Sequence, residues 1–480
     1  LIIADHHQPG PERPPALAVI NPHDPLSRYP FRDLCGTAVA WRLACALGRA
    51  PEEDLDLVAT ATVADVVPLL GENRTIVQEG LRRLRAGRGR PGVLALLGEG
   101  VPTARDLAFR VAPRLNAPGR MGDAGPALRL LLAEGPVSVS DALAAIEAAS
   151  AERREAEAAV AVSLDGSSAD PFVFLYGEDW HVGVLGLVAS RLCEEAGKPV
   201  FLLGRSGDGW RGSVRAPAGW DATAWLTACA AHLDRFGGHP GAAGFECRNP
   251  ETLAEALRRY LPSSAAGGSP VWPLDGELLP AELTLDTAQA LAALEPHGEG
   301  NPQPRLVLRA APARQVRTVG QSGRHLKLTL QGVDAIGFGL GYAAAGLQEG
   351  SRWDVCCALR RDDYRGKARL QLDVLDLRPA EGDWAGFLAA FPDRPPLVNA
   401  YKGLRTMAAR GPLPALPVLP LQLSAAAGLP LPTARAAAAI FGELGLIAGA
   451  ELRSEAVDLA ASPTFRLAAQ VRERCRAIIL

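Results

Sequence analysis

The sequence contains no apolar run of the roughly 20 residues that a membrane-spanning helix requires, which excludes a protein anchored by such helices. Its eight cysteines include no Cys-x-x-Cys pair, which speaks against a zinc ribbon and favours reduced core thiols of a cytoplasmic protein. An excess of one charge is also lacking: the net charge is −3, so a nucleic-acid partner would require local basic patches. Arginine supplies nearly all of the 50 basic residues. It suits bidentate phosphate contacts, but a GC-rich genome is the simpler explanation.

The chain opens on an apolar segment, residues 1–4, that ends abruptly in Asp5, His6 and His7. This pattern predicts a buried parallel strand, and the ligands of open α/β sheets bind beyond the carboxyl ends of such strands. A carboxylate beside two imidazoles is a ligand set that suits Mn²⁺, Zn²⁺ or Fe²⁺. A strand followed by an ordinary polar turn is the alternative interpretation.

A chain of 480 residues is too long for one core and predicts three or four domains. Strand and helix signals alternate at first, with a short strand at 16–20, helical spacing at 35–45 and an apolar segment at 56–65. This alternation predicts an α/β domain with a parallel sheet. The carboxylate at the end of the third segment, Asp65, is by itself most often a cap or a surface turn. The Pro- and Gly-rich residues 112–123 predict a loop.

A long helix is predicted at 140–164, with Ser140 as its N-cap, and a second α/β segment follows it. Its strands are predicted at 171–176, 199–203 and 210–215. Ser213 and Arg215 lie two apart on the last strand, so both side chains point to one face and could contact one phosphate.

The richest glycine cluster of the chain occupies residues 236–244. It predicts a loop of the kind whose backbone N–H groups surround phosphate oxygens, and a structural turn is the alternative.

Five short strand signals at regular spacing between residues 305 and 374 predict a small β-barrel of OB type. Six cations and no acid lie between Pro304 and Val333, which fits a groove that follows a single-stranded backbone. A solvated face is the alternative. The prolines at 395–396 and 412–430 predict linker-like breaks, and residues 433–447 predict a helix that turns into a strand, as in winged-helix units.

Four motifs in this order resemble those of the RecJ-like exonucleases of the DHH phosphoesterase superfamily. They are the opening Asp-His-His, the Thr-Val-Ala-Asp-Val-Val-Pro-Leu of 62–69, the Gly-Gly-His of 237–239 with Ala-Ala-Gly at 242–244, and the Pro-x-Gly-x-Gly-Asn-Pro-x-Pro of 296–304. The resemblance covers about residues 1–380. It implies an α/β architecture made of part of a DHH parallel-sheet domain (1–135), a connecting helix (136–166), a DHHA1 domain (167–264), an OB barrel (265–380) and a small α-rich C-terminal domain (381–480).

The resemblance also implies a centre of two Mn²⁺ or Mg²⁺ ions that releases 5′ mononucleotides from single-stranded DNA in recombination and repair. Manganese is preferred, because imidazole is among the ligands. The implied metal ligands are His6, His7 and Asp65, and the implied catalytic residues are Asp5, His7 and His239. The implied nucleic-acid-binding residues are Arg120, Ser213, Arg215, Gly237 and Gly238. The basic patch of the barrel adds Arg305, Arg309, Arg317, Arg324 and Lys327.

The expected partner is single-stranded DNA, and the chain is expected to be a monomer without membrane contacts. A single-strand-binding protein or a helicase would dock on residues 381–480. The chain begins inside a strand, and the family's upstream aspartate motifs have no counterpart, so we expect a fragment that is inactive alone. Two alternatives remain: a phosphodiesterase for short oligonucleotides or cyclic dinucleotides, and a non-catalytic single-strand-binding scaffold.

Overall fold

The computed structural model describes residues 1–10, 12–162, 170–261, 273–320, 323–364, 367–380, 382, 384–415, 418–453 and 457–479. These residues fall into two units, one comprising Leu1–Gly267 with Glu295–Pro302 and the other Gly268–Leu294 with Gln303–Leu480. Among the described helices, none combines the length and the apolar character that crossing a bilayer requires. The eight cysteines are free, and burial raises the pKa of Cys229 and Cys247 to about 11.

The first unit opens with strands β1 (Ile2–Ala4) and β2 (Ala18–Ile20), which pair in parallel with Ile2 opposite Ala18. The predicted parallel strand is therefore confirmed. Its predicted burial is wrong, because Leu1 is 85% and Ile2 53% exposed. Within the described residues β1 pairs only with β2, and a two-stranded sheet covers little of either face.

Eight helices follow these strands in the described part of the chain. Their bounds are α1 (Gly36–Ala46), α2 (Leu55–Ala64), α3 (Gly71–Arg85), α4 (Pro91–Leu97), α5 (Ala104–Asp106), α6 (Ala112–Arg120), α7 (Gly125–Leu132) and α8 (Pro136–Val162). The apolar faces of α3, α4 and α8 meet in one core that contains Leu81, Leu96 and Ile146.

The loop predicted at 112–123 is wrong, since residues 112–120 form helix α6. Pro113 is the second residue of α6, and it follows directly after the π-helical turn Leu107–Val111. Pro118 lies inside the helix, and it is buried together with Ala117. Tertiary packing therefore outweighs the helix-breaking tendency of this segment. Helix α8 begins at Pro136 rather than at Ser140, and the predicted end at 164 lies outside the described residues.

The second α/β part is built on the five-stranded sheet β3-β4-β5-β7-β6. Its elements are β3 (Val173–Gly177), α9 (Leu185–Ala196), β4 (Val200–Ser206), β5 (Gly209–Arg215), α10 (Ala222–Ala228), β6 (Arg235–His239), β7 (Ala242–Cys247) and α11 (Pro250–Arg259). β3 and β4 are parallel, and the other pairs are antiparallel. Phe172, Phe201 and Trp225 meet edge to face in the core beneath this sheet.

The glycine cluster at 236–244 is a β-hairpin and not the predicted loop. Gly237 pairs with Gly244, and Gly238 pairs with Ala243, so that the backbone groups of these glycines enter a ladder. A ladder that satisfies the backbone N–H groups leaves fewer of them free to surround a phosphate.

The second unit contains the predicted barrel. Its elements are β8 (Gly276–Glu277), α12 (Leu285–Ala292), β9 (Leu306–Val319), β10 (His325–Leu330), β11 (Val333–Gly337), β12 (Arg352–Tyr364) and β13 (Lys367–Pro379). The strand order β10-β11-β13-β12-β9 closes through a further pairing of β9 with β10, which confirms the five-stranded barrel. Leu326, Leu328 and Leu330 alternate into its interior.

The C-terminal part is mostly helical. Its elements are α13 (Trp384–Leu388), α14 (Arg394–Ala408), α15 (Leu419–Ala427), α16 (Leu431–Glu443), β14 (Ile447–Ala448), β15 (Glu451–Leu452) and α17 (Pro463–Ile479). The predicted helix with a turn into a strand is confirmed by α16 and β14. The predicted break at 395–396 is wrong, because Pro395 and Pro396 form the first turn of α14. The stretch 412–430 contains α15, and the described residues 412–415 and 428–430 on its two sides are not helical.

Besides Asp373, one further carboxylate among the described residues of the barrel is nearly buried, that of Asp354. It accepts hydrogen bonds from the Ala310 backbone N–H (3.0 Å), from Arg309 Nη1 (2.9 Å) and from Arg378 Nη2 (3.2 Å). Burial tends to raise the pKa of Asp354, but these donors together lower it below the ordinary value of 3.8. The ionised carboxylate therefore stabilises the barrel.

We expect Asp354→Asn to lower the free energy of unfolding by about 2 kcal/mol at pH 7, because hydrogen bonds to a charged group are lost. A lowered pKa in the folded state stabilises above pH 3.8 and loses this effect as the pH falls through the folded-state value. The difference between the two proteins should therefore shrink below pH 3.8 in denaturant unfolding. Asp334→Asn, which removes a half-exposed ion pair with Lys327, is the control and should change little. An equal loss in both variants would contradict this account.

Candidate active site

Asp5 folds back over the two histidines that follow it. Its backbone N–H donates to the Ile20 carbonyl (3.0 Å), which extends the pairing of β1 with β2. Its Oδ1 accepts from the His6 backbone N–H and from His7 Nδ1, both at 2.7 Å. The hydrogen bond from His7 and those from the backbone lower the pKa of Asp5, against the opposing effect of burial. Asp5 therefore orients the His7 ring and leaves Nε2 available to a metal ion.

His6 and Asp65 both line a cavity of about 540 Å³. His6 Nδ1 lies 3.5 Å from Asp65 Oδ2, and the side chains are 20% and 41% exposed. Asp65 stands at the C-terminal end of α2, directly after Ala64. Thr60 and Asn116 also line the cavity. The predicted convergence of the opening residues with the carboxylate near position 65 therefore exists.

The donor set of this region fits a divalent cation. The ligand atoms of Asp5, His6 and His7 all lie within 4.8 Å of one another, and in the described part of the chain no other group of three meets this criterion. Asp65 lies beside His6 but does not belong to this group of three, and neither does His239. Carboxylate oxygens mixed with imidazole nitrogens suit Mn²⁺ better than Mg²⁺, which prefers oxygen alone.

The turn after Asp65 is strained. Val66 has φ = 58°, and a β-branched residue rarely adopts this left-handed conformation, which costs about 1–2 kcal/mol. The fully buried Asn73 stabilises the turn through donation from Nδ2 to the carbonyls of Pro68 (3.0 Å) and Asp33 (2.6 Å). Strain of this kind persists only where the surrounding contacts impose it.

Asn21 is a site residue that the sequence reasoning missed. It is 7% exposed. Its Nδ2 donates to the His7 carbonyl (2.9 Å), and its Oδ1 accepts from the His23 backbone N–H (2.9 Å). Asn21 follows β2 as Asp5 follows β1, and the carboxyl ends of parallel strands meet at one edge. The position of Asn21 directly after β2 could therefore have indicated that it lies at the site.

Ser213 and Arg215 lie on one face of β5, as predicted. Arg215 Nη1 donates to Ser213 Oγ (2.9 Å), and its Nε donates to Ser190 Oγ (3.0 Å). Burial, and then the neighbouring charge of Arg120, lower the pKa of Arg215. No carboxylate forms an ion pair with Arg215 within the described residues. A half-buried cation without a carboxylate partner among the described residues has the charge and the donors that suit an anion such as phosphate.

Arg120 reaches this pocket from α6, where Nη1 donates to the Gly183 carbonyl (3.4 Å). Gly186, at the start of α9, leaves room for the guanidinium, since a Cβ there would lie 2.9 Å from Arg215 Nη2. The N-terminal end of this 12-residue helix also favours a negative charge. The sequence reasoning missed Ser190 and Gly186, which stand four residues apart on one helix face.

Gly237, Gly238 and His239 lie on β6, the exposed edge strand of the sheet. His239 and Arg215 both pair with Ala242, on opposite sides of β7. Directly paired residues share a face of the sheet, so His239 and Arg215 lie on the same face, roughly 10 Å apart across two strand spacings. Gly237 and Ser213 both pair with Gly244, so they also share this face. The face is open at Gly237, since a Cβ built there would have no atom within 4 Å.

The predicted DNA-binding cations of the barrel differ in their exposure and in their hydrogen-bond and ion-pair contacts. Arg309 is paired with Asp354 (2.9 Å), and Lys327 is paired with Asp334 (3.5 Å), so neither is a free cation. Arg317 and Arg324 are exposed, whereas Arg305 is half-buried and donates its backbone N–H to Asp275 (2.7 Å).

An aromatic pair that the sequence reasoning missed lies beside these cations. His325 and Phe338 meet edge to face at 5.3 Å, and Phe338 is 52% exposed. Lys327 lies opposite Arg317 in the pairing of β9 with β10, two residues from His325 on the same outward face. An exposed ring among cations is typical of surfaces that stack single-stranded bases.

Comparisons with known proteins agree with these features. The chain matches the family models of the DHHA1 domain over residues 169–261 and of the RecJ OB domain over residues 274–376. It is 35% identical to the single-stranded-DNA-specific exonuclease RecJ of Dickeya dadantii, which covers 79% of this chain and 73% of that protein. For the RecJ of Bacillus subtilis the identity is 31%, over 84% of this chain and 55% of that protein.

The fold is similar to the crystal structure of RecJ in complex with Mn²⁺ from Thermus thermophilus. The TM-score is 0.66 at 33% identity, over 78% of this chain and 58% of that chain. This chain therefore spans little more than half the length of the Bacillus and Thermus proteins. The resemblance inferred from the four motifs is confirmed, as is the α/β architecture with DHHA1 and OB domains. Since two-thirds or more of the Dickeya relative is matched at 35% identity, the chain belongs to the RecJ family.

Proposed function

We propose that the protein is a metal-dependent exonuclease that removes mononucleotides from the 5′ end of single-stranded DNA. One observation carries this proposal. Helix α6 brings Asn116 to the His6–Asp65 cavity and, one turn later, Arg120 to the Arg215 pocket. Four residues of helix span about 6 Å. Neighbouring turns of one helix therefore contribute to both sites, and a metal centre next to an anion pocket suits the hydrolysis of the bond one nucleotide from a bound 5′ phosphate.

Different residues of this chain would bind the metal, orient its ligands and hold the DNA. His6, His7 and Asp65 would hold Mn²⁺ or Mg²⁺, and the RecJ structures of Thermus thermophilus are solved with these ions. Bound metal would activate water and stabilise charge on the phosphoryl oxygens. Asp5 orients His7. Ser213 and Arg215, with Arg120, would hold the terminal phosphate, and the open glycine face of β6 would let the strand reach His239.

The closed barrel favours a long single strand over a dinucleotide. A phosphodiesterase for cyclic dinucleotides has no need of a second surface with exposed cations and an exposed ring. A non-catalytic scaffold would have no need of the His6–Asp65 pair. We also propose that the protein acts in the cytoplasm as a monomer. The helices of residues 381–480 would bind a single-strand-binding protein or a helicase.

The test is a substrate comparison with the complete coding-frame product, including any residues encoded upstream of Leu1. We expect Mn²⁺-dependent release of mononucleotides from 5′-phosphorylated single strands, and little from blunt duplexes or from dinucleotides. Faster cleavage of dinucleotides would indicate the phosphodiesterase instead. Tight strand binding without hydrolysis at any metal concentration would indicate the scaffold.

We expect Phe338→Ala to weaken the binding of a single strand by about tenfold, because a base–aromatic stack contributes about 1–3 kcal/mol. The measurement is fluorescence anisotropy with labelled oligonucleotides long enough to cover the barrel. Leu279→Ala removes another half-exposed apolar side chain of the same unit and should leave the affinity unchanged. Equal affinities of the Phe338 variant and the unaltered protein would show that strands bind elsewhere.

A further inference from the structure

A loop that is distant in the sequence contacts the segment that carries Asp65. Residues Glu295–Pro302 connect α12 to β9, yet they group with the first unit. The Glu295 carbonyl accepts from Arg74 Nη2 (3.0 Å) and from Gln78 Nε2 (3.3 Å), and the Pro296 carbonyl accepts from Arg74 Nη1 (3.4 Å). The side chain of Arg74 thus holds two successive carbonyls at the start of this loop.

The same loop also holds the turn between α2 and α3 directly. The Leu69 backbone N–H donates to the Glu299 carbonyl at 2.7 Å. Gly298 packs so closely that a Cβ there would lie 2.7 Å from Leu69 Cδ1, and one at Gly300 would lie 3.2 Å from Pro68 Cβ. These contacts fix backbone only four residues from Asp65.

Apart from this loop, the turn is held by Asn73, which donates to the Pro68 carbonyl, and by the buried side chain of Leu69. Val66 is 65% and Leu70 49% exposed, whereas Leu69 is 2% exposed and packs in the core of the first unit. Because Val66 adopts an unfavourable conformation, relaxation of this turn would rotate the end of α2 and move the Asp65 carboxylate away from His6.

We infer that the loop Glu295–Pro302, clamped by Arg74, is a positioning element for the Asp65 carboxylate. The inference rests on the proposed role of Asp65 as a metal ligand. Arg74 touches neither metal nor DNA in this account and acts through the turn. Partners that orient a ligand in this way typically contribute about 10- to 100-fold in metal affinity.

The test measures the Mn²⁺ affinity of the complete coding-frame product by titration calorimetry and the amide hydrogen exchange of residues 65–70 by mass spectrometry. We expect Arg74→Ala to weaken Mn²⁺ binding by about tenfold and to speed exchange in this segment. Arg74→Lys, which keeps one donor, should recover most of the affinity. Arg82→Ala removes an exposed arginine of the same helix and should change neither quantity.

A double-mutant cycle separates positioning from a general loss of structure. In an Asp65→Asn background, Arg74→Ala should have no further effect on Mn²⁺ affinity, since the carboxylate that it positions is gone. A loss of affinity in Asp65→Asn but none in Arg74→Ala would overturn the positioning role and leave the metal site intact. Unchanged affinity in Asp65→Asn would overturn the metal assignment itself and the inference with it. If Arg74→Ala fails to fold, Gly298→Ala, which displaces Leu69, replaces it in the same measurements.

Discussion

Replacement of His6 by alanine should lower the rate of single-strand hydrolysis by about a thousandfold or more. A bound metal ion contributes several kcal/mol to transition-state stabilisation, and each 1.4 kcal/mol is about a factor of ten in rate. His6 has the central place in the donor set, because its ring contacts both Asp65 and the group formed with Asp5 and His7. The variant should also bind Mn²⁺ more weakly, whereas its affinity for a long single strand should be unchanged, since the barrel is intact.

The control for this prediction is His232→Ala. His232 is an exposed histidine of the same unit, and its replacement should change neither rate nor metal affinity. Both variants are measured in the complete coding-frame product at saturating Mn²⁺ and at a roughly tenfold lower concentration. A His6 variant with near-normal hydrolysis at both concentrations would show that the metal ligands lie elsewhere.

Replacement of Arg215 by alanine should abolish the preference for a 5′-phosphorylated end. We expect the ratio of rates on 5′-phosphate and 5′-hydroxyl strands to fall by about a hundredfold, because two charge-assisted hydrogen bonds contribute about 1.5–3 kcal/mol each before partial compensation by Arg120. Arg215→Lys should recover little of this ratio, since an ammonium cannot reproduce the planar fork. The rate on 5′-hydroxyl strands should change much less.

The melting temperature gives this prediction a second readout. Arg215 is half-buried beside Arg120, and within the described residues it lacks a carboxylate partner, so its removal should not lower the melting temperature. Inorganic phosphate should raise the melting temperature of the unaltered protein more than that of the variant. The matched control is Arg211→Ala, on the same strand but 62% exposed beside Glu246. An unchanged phosphate preference in the Arg215 variant would place the terminal phosphate outside this pocket.

The local patterns of the sequence predicted much of the fold. The barrel strands were predicted because the alternation of Leu326, Leu328 and Leu330 is a short-range signal of a half-buried strand. Helix α1 and the strands β4 and β5 were predicted on similar grounds. The predictions at 112–123 and 236–244 failed for the opposite reason. Proline and glycine indicate a loop locally, but burial of Pro118 and pairing of Gly237 with β7 override that tendency.

The sequence predicted only part of the candidate site. The polar residues at the end of the opening apolar segment indicated Asp5 and His6 directly. Asp65 was indicated only by the resemblance to the family, because a lone carboxylate after an apolar segment is most often a cap or a surface turn. The motifs did not predict that Asp5 would turn back onto His7, that Asn21 would hold the His7 carbonyl, or that Arg309 would be neutralised by Asp354. Each of these contacts joins side chains whose directions depend on the backbone of a second element.

By itself the sequence determined which chemical groups this protein has and the order in which they occur: a carboxylate with two imidazoles, a serine and an arginine two apart, and a barrel rich in cations. The tertiary structure alone decided which of these groups meet. Helix α6 brings Arg120 beside Arg215, and the loop Glu295–Pro302 returns from a distant part of the chain to hold the turn after Asp65. The physical reason is that electrostatics and hydrogen bonding act over a few ångströms in space, whereas sequence patterns report only neighbours along the chain.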